Sequence, residues 1–112
     1  MDDQQFSRLN PKRFESVARL RELLFGLERD LGIDGLSQNE LDILYAVRLL
    51  ADVPDGITRS DALRNHCLCV RIPTPTFHRT LRSLIDKGFV ARAPHTRARA
   101  YVLGPNAVSE TA

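Results

Sequence analysis

A mainly α domain with a small antiparallel β hairpin, the α+β class, is what this sequence predicts, and three observations predict it. Apolar residues recur at helical spacing as far as Lys87, several segments open on helix-start signals, and after Gly88 the pattern switches to short strand-like runs joined by a basic turn.

The chain has 112 residues, enough for one domain with a modest core. No apolar run approaches the ~18–20 residues that span a bilayer; the best, Leu41 to Ala51, is broken by Asp42 and Arg48. The start, Met1-Asp2-Asp3-Gln4-Gln5, is acidic and polar, unlike a signal peptide. A cytoplasmic protein with no membrane partner is therefore expected. The net charge of +2 is unevenly spread: residues 1–56 carry 7 basic and 11 acidic side chains (−4), residues 57–112 carry 9 and 3 (+6). The second half suits a polyanion.

Asn10-Pro11 reads as an N-cap followed by a first-turn proline, where the missing N–H costs nothing. A helix is expected from Pro11 to Leu31, ended by Gly32. Within it Val17, Leu20, Leu24, Leu27 and Leu31 repeat at 3-4-3-4 spacing, the seam of a helix pair. Phe14 and Phe25 lie beside that stripe, and Gly26 interrupts the helix former pattern. The stripe fits a core face, a dimer seam, or both.

Leu36-Ser37-Gln38-Asn39-Glu40-Leu41 is a second start: Ser37 caps, Glu40 closes a capping box, and Leu36 with Leu41 forms a hydrophobic staple. This helix should bury Leu41, Leu44, Val47 and Leu50 before Pro54-Asp55-Gly56 turns the chain. Ile57 is expected as a single strand-like residue. Thr58 to Asp61 offers a cap and an acid, opening a short helix to about His66 or Cys67. Leu68 to Ile72 forms a mostly apolar linker. Thr74-Pro75 again supplies a cap and a first-turn proline for a helix to Lys87, ended by Gly88. Phe77, Leu81, Leu84 and Ile85 share one face of it; Pro75, Thr76, Arg79, Arg82 and Ser83 share the other, which is positive. Phe89–Ala93 and Arg99–Leu103 should be the hairpin strands, joined by residues 94–98, with a frayed tail from Gly104.

A short helix, a tight linker, a second helix with a basic outer face and a basic hairpin together fit a winged helix-turn-helix, preceded here by an N-terminal helix for packing or dimerisation. The domains expected are residues 1–35 for that helix, 36–104 for the DNA-binding domain, and 105–112 for the tail. The run from Thr76 to Arg92, with its Leu84 followed by Lys87-Gly88, the apolar pair Phe89-Val90 and then Arg92, resembles the recognition-helix-to-wing segment of MarR-type winged-helix repressors. Leu36 to Leu50 resembles the second helix of that family, so the likeness covers roughly residues 36–103. It implies that Thr76, Arg79 and Ser83, with His78 and Arg82, face the major groove, and that Thr74 opens that surface. It also implies Arg97 at the wing tip, Arg99 on a phosphate, and Arg59 and Ser60 on the backbone. Two departures stand out. The family's wing Asp-x-Arg is His95-Thr96-Arg97 here, and the C-terminal helices that build the family's dimer do not follow the wing. Dimerisation is thus expected from Val17, Leu20, Leu24, Leu27 and Leu31.

His66-Cys67-Leu68-Cys69 invites a metal reading, but structural zinc wants four ligands and wider cysteine spacing. Two thiols packed as small hydrophobes are expected, with no metal and no cofactor. The three histidines are scattered and no nucleophile–base pair, phosphate loop or carboxylate pair is present, so no enzyme is expected. The expected function is that of a dimeric transcriptional regulator, a repressor in type, bound to double-stranded DNA. The other readings are a winged-helix protein–protein interaction module and a DNA-binding accessory factor of plasmid or phage replication. No motif specifies a small-molecule effector.

Overall fold

The computed structural model describes residues 9–51, 56–94 and 99–107. The elements are α1 (Pro11–Leu31), α2 (Gln38–Leu50), β1 (Thr58–Arg59), α3 (Ser60–Asn65), α4 (Thr74–Asp86), β2 (Val90–Arg92), β3 (Ala100–Leu103) and a closing 3-10 turn, Pro105–Ala107. The chain is mainly helical with one small antiparallel sheet, and it divides into two compact units between Gly35 and Leu36.

The first unit is built around α1. Asn10 Oδ1 accepts from the N–H groups of Lys12 (2.9 Å) and Arg13 (3.3 Å), which would otherwise go unpaired at the helix start. At the far end Gly32 takes φ +75°, so its N–H reaches Arg29 O and the Ile33 N–H reaches Glu28 O. This double closure is the Schellman arrangement. The helix runs unbroken through Gly26. Its apolar stripe stands exposed: Val17 62%, Leu20 65%, Leu24 38%, Leu27 49% and Leu31 73%.

In the second unit α2 is the central element, in contact with α3, α4 and β3. The Ser37 capping box forms as expected: Ser37 Oγ accepts from the Glu40 N–H at 3.1 Å and Glu40 Oε1 from the Ser37 N–H at 2.8 Å. Burial extends beyond Leu41, Leu44 and Val47 to Ile43 and Ala46, because α2 is covered on more than one side. Leu63, Cys69, Ile72, Phe77, Leu81, Leu84, Val90 and Tyr101 complete the core.

The sheet has three strands in the order β1-β3-β2, one more than a hairpin. Thr58 pairs with Tyr101 and Arg59 with Ala100, while Arg92 pairs with Tyr101 on the other side. The strand at this point is Thr58–Arg59, not Ile57. Thr58 does not cap α3: its buried hydroxyl donates to Val47 O at 3.3 Å, tying β1 to the end of α2. Arg59 occupies the cap position, and its side chain does not cap the helix. Similarly, Thr74 is the first residue of α4 and Pro73 precedes it as the cap position.

α4 ends on a second Schellman closure. Gly88, at φ +82°, donates to Ile85 O and Phe89 to Leu84 O. Residues expected as a frayed tail lock this corner. Asn106 Nδ2 donates to Lys87 O at 2.8 Å, the Asn106 N–H to Gly88 O at 2.9 Å, and the Gly104 N–H to Phe89 O at 2.8 Å. A Cβ on Gly88 would lie 2.7 Å from Asn106 Nδ2. Gly88→Ala should therefore cost about 1–2 kcal/mol for the left-handed backbone and the displaced asparagine, read as a lower urea midpoint.

Candidate nucleic-acid interface

α4 is strongly two-sided. Phe77, Leu81 and Leu84 point into the core, with Ile85 half-buried beside them, and His78, Arg79 and Arg82 stand exposed on other faces. The turn that aims α4 at this angle is built from local bonds: Cys69 and Val70 N–H donate to His66 O, and the Ile72 N–H to Cys69 O. His66 Nδ1 accepts from the Leu68 N–H at 3.1 Å.

Arg64 braces the turn from α3, and the sequence reading did not single it out. Its guanidinium donates to Cys69 O (3.3 Å) and to Thr74 Oγ1 (2.9 Å), and its Cζ sits 5.0 Å from the centre of the Phe77 ring. One side chain thus joins α3, the turn and the first turn of α4. A planar fork can make these contacts together, whereas an ammonium cannot. Arg64→Ala should lower stability by about 1–2 kcal/mol, and Arg64→Lys should restore only part of it in thermal unfolding.

The expected site residues fall into two groups. Arg59, Ser60, Thr74, His78 and Arg99 come together, lining with Arg64 and Asp61 a cleft of about 530 Å³. The Ser60 N–H donates to Arg99 O at 2.9 Å, fixing the backbone there. A second cleft of about 290 Å³ is lined by His78, Leu81, Arg82, Ile85, Arg92, Arg99 and Tyr101. On the opposite flank of α4, Thr76 Oγ1 accepts from Arg79 Nη2 at 3.3 Å, which steadies that guanidinium. Arg97 lies outside the described residues.

Ser83 is half-buried and lines a cleft on that flank with Arg79, Thr80, Ser37 and Glu40, and its hydroxyl donates to Glu40 Oε2 at 2.7 Å. Lys87 Nζ donates to the same oxygen at 2.8 Å. Burial would raise the Glu40 pKa, but hydrogen bonds from Lys87, the Ser37 N–H and Ser83, with the Lys87 charge, outweigh it and hold the carboxyl at about 2. Glu40 therefore clamps the far end of α4 onto the start of α2.

The two cysteines separate. Cys69 is fully buried, and burial pushes its thiol up to about 11, as suits a core group; Cys67 is exposed, contrary to the expectation that both pack. Among the described residues no three His, Cys, Asp or Glu side chains are placed to hold a metal. No helix among them is long and apolar enough to cross a membrane.

Compared with known proteins, the chain matches no family model, no curated protein and no solved structure.

Proposed function

We propose that this chain is a sequence-specific regulator of transcription that binds double-stranded DNA as a dimer, through a winged helix-turn-helix. In this reading α4 enters the major groove and the β2–β3 hairpin lies on the backbone or in the minor groove. The observation that carries it is the face of α4. His78, Arg79 and Arg82 are presented outward from a helix fixed on its other side by Phe77, Leu81 and Leu84, with a basic cleft alongside. Arg79 is the foremost candidate for reading a base edge, since Thr76 pre-orients its fork and an arginine fork matches guanine. The MarR-type resemblance of Thr76 to Arg92 supports the same placement.

The α1 stripe supports the dimer. Seven apolar side chains, Phe14, Val17, Leu20, Leu23, Leu24, Leu27 and Leu31, are between 38% and 73% exposed on this one helix. At roughly 100 Å² each, a symmetric pair would bury on the order of 1,000–1,500 Å², the range of specific, stable interfaces. A surface of this size left uncovered exceeds what monomers usually expose.

The test is selection of bound genomic fragments followed by mobility shift. Enrichment of a shared, pseudo-palindromic sequence is expected. If no duplex is shifted even at low salt and no sequence is enriched, the reading is wrong.

A further inference from the structure

The two clefts share His78 and Arg99, so together they form one trough along the flank of α4 next to the sheet. Its charge is lopsided. Asp61 is the one carboxylate among the described lining residues, and it lies in the first cleft; the second has three guanidinium groups and none. Arg82, Arg92 and Arg99 have no ion-pair partner among the described residues. On the other flank of α4 the Lys87 charge is already met by Glu40. The anchors of the trough are stiff. Arg92 is held opposite Tyr101 in the sheet, and Arg99 is bracketed by the Ser60 N–H bond and by the Ala93–Ala100 bond next to it.

Guanidinium groups that converge without a counter-ion repel one another, and a row of them in a concave wall suits a chain of phosphates better than a flat base edge. We propose that this trough seats the sugar–phosphate backbone of one DNA strand, with Arg82 and Arg92 joining Arg99 as phosphate ligands. Arg92 is the new member, supplied by β2 and not by the helix-turn-helix. This rests on the duplex-DNA reading above, and it sets which flank of α4 lies against the backbone.

Fluorescence anisotropy of the full chain with a labelled duplex of mixed sequence, titrated over a range of salt, tests it. Arg82→Ala, Arg92→Ala and Arg99→Ala should each flatten the log–log salt slope by about 0.9 per protomer bound, and weaken binding alike on every sequence. Arg92→Lys should keep the slope. Arg19→Ala, whose guanidinium is paired with Glu15 on α1, should leave it unchanged. Unfolding midpoints matching the wild type show that each variant is folded. If the wild type binds while Arg82→Ala and Arg92→Ala keep its slope, the trough is not the backbone seat and the DNA reading stands. Loss confined to one selected sequence would make these residues base readers and overturn the proposal. If the wild type binds no duplex, both readings fall together.

Discussion

Leu24→Glu should convert the protein from dimer to monomer and weaken binding to a palindromic site by two orders of magnitude or more, with α4 untouched. Leu24 lies mid-stripe on α1, between Leu20 and Leu27, and at 38% exposure it is the most covered of the five residues proposed for the dimer seam. Burying a leucine at such a seam contributes about 1.5–3 kcal/mol, and a twofold axis counts each change twice. A glutamate there adds two charges that would have to be desolvated against each other. Light scattering of the variant, with circular dichroism to show that it is folded, decides the matter. A folded dimer would place the seam elsewhere.

Glu40→Ala should be the most damaging polar substitution, costing about 2–3 kcal/mol and lowering the melting temperature by roughly 10–20 °C. It removes the acceptor of the Ser37 N–H, the Ser83 hydroxyl and the Lys87 ammonium at once. The estimate sits below that for a fully buried pair because the Lys87 side chain is 46% exposed and can return to water. The same carboxylate predicts an acid limb. Its folded pKa, about 2, lies below the ordinary 4.5, so its contribution is complete above that value and is lost as pH falls from about 4.5 toward 2. Urea midpoints measured across that range should fall for the wild type, and the gap to Glu40→Ala should narrow. Parallel curves would show that the carboxylate is not depressed.

What could be read from the sequence was governed by range. Asn10, Pro11, Gly32, Ser37, Glu40 and Gly88 act on backbone groups within a few residues, so the bounds of α1, the start of α2 and the end of α4 follow from local chemistry. The Thr58–Arg59 strand is too short to show a period, and its partners, Ala100 and Tyr101, are far along the chain. Thr58 looked like a cap because nothing local reveals that its hydroxyl belongs to Val47. The same holds at the candidate site. The helical period separates Phe77 and Leu81 from Arg79 and Arg82, but it cannot show that the Ser83 hydroxyl is engaged by Glu40, which comes from another helix. Arg64 was unmarked for the same reason: its bonds to Cys69 and Thr74 come from packing, which no spacing rule encodes, and the place of Arg92 in the cleft is likewise set by the sheet.

The most direct measurement of the central claim, that α4 reads DNA sequence, is the affinity of the wild type and Arg79→Ala for a selected duplex and for a scrambled one at a single salt concentration. The wild type should prefer the selected duplex by at least about 10³-fold. Arg79→Ala should lose about 1–3 kcal/mol on that duplex while changing little on the scrambled one. Equal wild-type affinity for both duplexes, or an equal loss on both, would contradict it.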